Sequence, residues 1–101
     1  PVQVTILTVT DRNIPFGEKV KSAILAAGIR VVSDFRNEKL GLKVREAQLK
    51  KIPYMLIIGD KECDNDGVTP RKRNGQNLSL MGANEFIDLI TKESRQRREW
   101  Q

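Results

Sequence analysis

Polar residues that can hydrogen-bond in a directed way gather in three short runs: Asp34-Phe35-Arg36-Asn37-Glu38-Lys39, Asp60-Lys61-Glu62 and Arg71-Lys72-Arg73. Arginine offers a planar fork of donors, asparagine a donor beside an acceptor, and glutamate acceptors only. Such a set can read nucleobase edges. Arginine and lysine suit guanine O6 and N7, asparagine an amide-like edge, and glutamate an amino or imino group. Catalysis fits poorly. The chain has no histidine, and Cys63 is its single cysteine, so the commonest general base and zinc ligand is missing. A lone cysteine without histidine makes no Cys–His nucleophile, no metal cluster and no internal disulfide, and a reducing, cytosolic setting is its simplest reading.

The charge balance points the same way. Lys and Arg number 18 against 13 Asp and Glu, a net charge of +5. A basic surface favours a polyanionic partner, because each neutralised phosphate releases counterions. Arg45, Lys50 and Lys51 continue the basic character beyond the first run, and Arg36, Lys39, Lys43, Arg45 and Lys50 are candidates for backbone contacts to a nucleic acid. Plainer accounts exist for part of this. Asp34 or Asn37 can serve as a helix cap, and a charge run on a helix is often a solvated face. The basic run at 92–98 complements the dipole of a terminal helix.

Elements must position these residues, and the patterning predicts them. Residues 2–10 form a β-branched run of strand type. Phe16, Val20, Ala23, Ile24 and Ala27 recur at helical spacing before Gly28, giving a helix over about 15–27. A second strand is expected at about 29–33. A second helix at about 38–51 carries its apolar stripe on Leu40, Val44 and Ala47. Tyr54-Met-Leu-Ile-Ile58 is a continuous apolar run closed by Gly59, of the kind found in central strands covered on both faces; the strand spans about 54–59. Asn74-Gly75 is a strong hairpin signal, so 68–73 should run antiparallel to the central strand and 76–80 should return. Ala83, Phe86, Ile87 and Ile90 mark a last helix over about 83–97.

This order implies a three-layer α/β/α domain with a mixed five-stranded sheet, one strand antiparallel. A chain of 101 residues fits one such domain, 1–101. No apolar run is long enough to span a bilayer, so no membrane partner is expected. Ligands of open α/β sheets sit at the carboxyl ends of parallel strands, where two of the three polar runs fall. No glycine-rich turn follows the first strand and no P-loop is present, which argues against a dinucleotide or nucleotide triphosphate fold. Phe16, Phe35, Tyr54, Phe86 and Trp100 are scattered, so hydrogen bonding and charge, rather than an aromatic platform, must carry recognition.

The stretch 34–62 closely resembles the C-terminal anticodon-binding domain of threonyl-tRNA synthetases. It contains Arg36-Asn-Glu-Lys-Leu-Gly41, Lys43-Val-Arg-Glu46, Ile52-Pro-Tyr-Met-Leu56 and Gly59-Asp-Lys-Glu62 in order. Each motif alone is weak; together they are specific. Related domains occur in prolyl-, histidyl- and glycyl-tRNA synthetases, and these remain the alternatives, along with a non-catalytic interaction module reusing the fold. The resemblance implies a domain that grips the anticodon loop of tRNA(Thr) and reads its second and third bases. By position it assigns base reading to Asn37, Glu62 and Arg71, with Lys51 and Arg73 as further anticodon contacts. It implies a parent that is an ATP-dependent threonine–tRNA ligase, cytoplasmic and homodimeric through its catalytic domain. ATP and zinc belong to that catalytic domain, and this domain is expected to need no cofactor and to hold no catalytic residues. The family's V-R-T-R-R-G hairpin here reads Pro70-Arg-Lys-Arg-Asn-Gly75. Pro70 removes a strand donor, which favours an edge position or a local distortion.

Overall fold

The computed structural model describes residues 2–99, with side chains as far as Ser94. The side chains of Arg95, Arg97 and Arg98 in the basic run, and Trp100, lie outside the described residues. The elements are β1 (Val4–Thr8), a 3-10 turn (Asp11–Asn13), α1 (Ile14–Ala26), β2 (Val31–Asp34), α2 (Leu40–Leu49), β3 (Tyr54–Ile58), α3 (Asp60–Asn65), β4 (Thr69–Lys72) and α4 (Ala83–Glu99). The strands form one sheet in the order β2-β1-β3-β4. β1 is parallel to both β2 and β3, and β4 runs antiparallel to β3 on the edge.

Alternation along β1 and β3 divides the core in two. Val4, Ile6, Tyr54, Leu56 and Ile58 point to one side, where they meet Val20 and Ile24 of α1 and Phe86 and Ile90 of α4. Phe86 is fully buried, with its ring edge-on to Tyr54 at 5.5 Å. Leu7 and Met55 point to the other side, under Leu40, Val44 and Ala47 of α2. A strand covered on both faces needs an unbroken apolar run, and β3 supplies one. Three layers result, as the patterning predicts.

Among the described residues the sheet has four strands, not five. The Asn-Gly turn forms: Gly75 takes a positive φ of 93°, and its N–H donates to the Lys72 carbonyl at 2.9 Å. The return over 76–80 lies beside β4 without building a ladder. Among the described residues one isolated bridge joins it, Arg71 with Asn77, and a second, Val68 with Met81, follows just beyond in a register that differs by one residue. Pro70 is the reason. Its carbonyl accepts from Leu78 at 2.8 Å, so Pro70 faces the returning segment and has no N–H to give back.

One helix boundary and one whole helix also differ from the patterning. α2 begins at Leu40, two residues later than expected, and no side chain caps it; Lys39 occupies the cap position. The capping account of Asp34 and Asn37 therefore fails. α3 falls between the strands expected at 54–59 and 68–73, where the patterning places no element. Its six residues, Asp-Lys-Glu-Cys-Asp-Asn, carry no apolar period to betray them.

Candidate nucleic-acid interface

α2 follows the edge strand β2 and packs chiefly on β1, so it leaves the sheet uncovered on either side of itself. Towards β2 lies a groove of about 630 Å³, lined by Thr5, Val32, Asp34, Lys43, Glu46 and Lys50 among others. Towards β4, the uncovered residues are those sharing the face of Met55. Ile57 shares it by alternation, and Thr69 and Arg71 share it because they pair with Ile57 and Met55. Leu40, Val44 and Ala47 face the core, and Lys43, Glu46 and Lys50 flank the β2 groove. At 100° per residue, the opposite flank of α2 is Gly41, Arg45 and Gln48, all exposed. This flank borders the open β3–β4 face.

Arg71 is the best-defined side chain on that face. Its Nε donates to Asn77 Oδ1 at 2.7 Å. Its two terminal nitrogens make no hydrogen bond among the described residues, so the guanidinium is held at its neck with its fork free. Asn77 was not among the residues the sequence singles out, because its role depends on the irregular return beside β4.

Glu62 stands at the upper end of the same row and is only 8% exposed. One carboxylate oxygen accepts the Gly59 N–H at 2.8 Å, closing the first turn of α3, and the other accepts the Thr69 hydroxyl at 2.7 Å. The carboxylate thus ties α3 to β4.

The remaining candidates are spread further. Asn37 is exposed in the loop after β2, and its side chain makes no hydrogen bond among the described residues. Lys51 lies at the amino end of β3, in the left-handed conformation with φ 57°, and lines the β2 groove rather than the β4 face. Arg73 is exposed at the same end as Lys51, its N–H on the Pro53 carbonyl at 2.9 Å. Among the candidate backbone contacts, Lys39, Arg45 and Lys50 are exposed. Arg36 is exposed but engaged, with its guanidinium bridging Asp34 and Glu46 at 2.7 Å each; this contact holds the Asp34 carboxyl below its usual value. Lys43 is a correction. It is 2% exposed, with Nζ donating to the Thr8 carbonyl at 2.8 Å, so it cannot touch a nucleic acid at the surface.

A second polar cluster joins the carboxyl ends of β1 and β3. Arg12 makes a bidentate pair with Asp60, at 2.9 and 2.5 Å. Asn13, 1% exposed, donates to the same carboxylate at 2.9 Å and accepts from the Thr10 N–H at 3.0 Å. Arg12 first, then Asn13, hold the Asp60 carboxyl down to about 2. Nothing in the residues around Asn13 announces this role, because its partner lies 47 residues away.

A parallel core with an antiparallel edge strand, three layers and an open sheet face flanked by cations defines a mixed α/β domain. Comparison with known proteins places it more finely. Residues 3–93 match the model of the anticodon binding domain, and the chain belongs to that family. It is 55% identical over 93 residues to the threonine–tRNA ligase of Citrifermentans bemidjiense, covering 92% of this chain and 15% of that protein. The corresponding ligase of Oleidesulfovibrio alaskensis is 57% identical over 90 residues, with 89% of this chain and 14% of that one covered. The chain thus spans about 15% of the length of the curated relatives it matches. Among solved structures, the RNA binding domain of threonyl-tRNA synthetase from Cryptosporidium parvum superposes with a TM-score of 0.87 at 26% identity, over 91% of this chain and 23% of that one. A prolyl-tRNA synthetase from the same organism shares the fold, with a TM-score of 0.83 at 23% identity, over 97% of this chain and 22% of that one. The resemblance to the threonyl member holds, and the alternatives are not favoured.

Proposed function

We propose that this domain binds the anticodon stem-loop of threonine tRNA and reads anticodon bases as the tRNA-recognition part of a threonine–tRNA ligase. The observation that carries the reading is Arg71 on the β3–β4 face, fixed through Nε by Asn77 and with its fork unused among the described residues. A guanidinium already held in place loses less conformational freedom on binding, and its remaining nitrogens match the O6 and N7 acceptors of a guanine. Asn37, exposed and without a side-chain hydrogen bond among the described residues, supplies the donor–acceptor pair for a second base. Lys51 and Arg73 supply cations at the amino end of β3. Glu62 contributes through whatever lone pairs Gly59 and Thr69 leave free, and through the shape it gives the α3 turn. Arg36, Lys39, Arg45 and Lys50 are the cations for phosphates, which fix register without carrying sequence information.

On this reading, ATP and zinc serve parts of the ligase outside this chain, as do homodimer contacts, and the setting is the cytoplasm. Among the described residues no group of three or more Cys, Asp or Glu is placed to hold a metal, and no helix is long and apolar enough to cross a membrane.

The test is a titration of threonine tRNA against versions changed at the second or third anticodon base, at fixed moderate salt. The unchanged tRNA should bind more tightly, and Arg71→Ala should cost about 1–3 kcal/mol of that affinity and relax selectivity at one base. Equal loss for every tRNA would reassign Arg71 to a phosphate. Equal binding of all the tRNAs by the unaltered domain would sink the proposal.

A further inference from the structure

Lys43 is the most deeply buried charge among the described residues, at 2% exposure, and no carboxylate lies within ion-pair distance of it. Its Nζ instead meets the Thr8 carbonyl at 2.8 Å and the Thr8 hydroxyl at 3.4 Å. Burying an ammonium on a carbonyl is costly unless that carbonyl needs a donor. Here it does. The Val9 N–H reaches across to the Ile58 carbonyl of β3 at 3.0 Å. Neighbouring residues of a strand face opposite partners, so the Thr8 carbonyl faces β2.

β2, however, ends at Asp34, whose partner on β1 is Leu7. The next donor that a continuing β2 would offer Thr8 is the Arg36 amide. That amide has turned away and donates to Asp34 Oδ1 at 3.3 Å, in the same tight turn that folds the Arg36 guanidinium back onto Asp34. The Lys43 ammonium therefore stands where the strand's next N–H would be. It closes the sheet at the point where the chain leaves it, and residues 35–39, which include Asn37, begin from that point.

We infer that Lys43 is the positioning residue for the β2–α2 loop, fixing where Asn37 is presented without itself touching RNA. The inference rests on the reading under Proposed function. It predicts that Lys43 and Asn37 act as a unit while Lys43 and Arg71 do not, since Arg71 is set by β4 and Asn77.

The experiment is a pair of double-mutant cycles on tRNA affinity, with Lys43→Met, a near isostere without donors, combined with Asn37→Ala and with Arg71→Ala. Lys43→Met should lower affinity for threonine tRNA and lose the same base discrimination as Asn37→Ala. The Lys43–Asn37 pair should fall short of multiplicative loss by at least about threefold, whereas the Lys43–Arg71 pair should multiply. The slope of affinity against salt should be unchanged, because no phosphate contact is removed. A shallower slope would mean direct contact and overturn the inference, as would multiplicative loss with Asn37. Loss of the Arg71-dependent discrimination together with the rest would show general damage and overturn it too. If Lys43→Met does not fold, Lys43→Gln, which keeps a donor one bond short, carries the same cycles. Should the unaltered domain discriminate no anticodon, the functional reading falls first; should it discriminate while the cycles fail, the inference about Lys43 falls alone.

Discussion

Glu62 gives a prediction that separates a scaffold role from base reading. Its carboxylate is 8% exposed and accepts two hydrogen bonds, from the Gly59 N–H at 2.8 Å and the Thr69 hydroxyl at 2.7 Å. Bonds to a charged acceptor are worth about 1.5–3 kcal/mol each. Glu62→Ala removes both, but the two losses differ. The Gly59 N–H is buried and is stranded, at roughly the full cost of an unmade bond. Thr69 is half-buried and recovers part of its loss from water. The sum is about 2–4 kcal/mol of domain stability. Glu62→Gln behaves otherwise. Its amide oxygen still accepts from Gly59, and its amide nitrogen donates to a Thr69 hydroxyl turned to accept, so only the charge is lost, at about 1 kcal/mol.

Chemical denaturation checks this: the midpoint should fall in the order unaltered, Gln, Ala, with the slope against denaturant unchanged. A cost below about 0.5 kcal/mol for Glu62→Ala would refute the structural account. The Gln variant then serves the RNA question. It stays folded but replaces an acceptor with a donor, so a base amino group bound by Glu62 would be lost selectively. A tRNA affinity unmoved by Glu62→Gln would leave the residue as scaffold alone.

The Arg12–Asp60 pair predicts a pH effect. Asp60 sits at about 2 in the folded domain against an ordinary 3.8. A depressed folded value means that its stabilising contribution is complete above the ordinary value and is lost as pH falls through about 4 towards 2. Following the Asp60 carboxyl carbon by NMR should give a midpoint near 2, and Arg12→Ala should carry it back towards 3.8; an unmoved midpoint would remove Arg12 as the cause. For the core, Phe86→Ala empties a fully buried site against Tyr54 and should cost about 3–5 kcal/mol in denaturant unfolding. A cost under 1 kcal/mol would mean that α4 is not cemented by this ring.

The parts of this fold that a local pattern determines were legible. The apolar run of β3, the 3.6-residue stripe of Leu40, Val44 and Ala47, and the Asn-Gly turn each carry their signal within a few residues. What escaped is non-local. The return over 76–80 reads as a strand until Pro70 is known to face it, and which neighbour a proline faces is set by sheet register. α3 is one polar turn held by Glu62 and a partner on β4. A lysine on a polar helix flank reads as solvated, and nothing nearby says that Lys43 meets a carbonyl 35 residues earlier. Asn13 is hidden for the same reason, since the carboxylate that holds it arrives with α3.

The candidate site has the same limit, and it yields a decisive comparison. Read along the chain, Arg45, Lys50 and Lys51 form one basic run. Placed in the fold they part: Arg45 lies on the flank of α2 that borders the β3–β4 face, while Lys50 and Lys51 line the β2 groove. RNA lying over Arg71 along the β4 side must pass Arg45 before it reaches Lys50. Each phosphate contact removed should make log affinity against log salt shallower by about 0.7 to 0.9. Arg45→Ala should therefore flatten the salt dependence by roughly that amount, and Lys50→Ala by less, although Lys50 caps the same short helix about 1.4 turns further on. Both are exposed, so neither substitution should disturb folding. The opposite order would put the main phosphate track over the β2 groove and refute the path along the β3–β4 face.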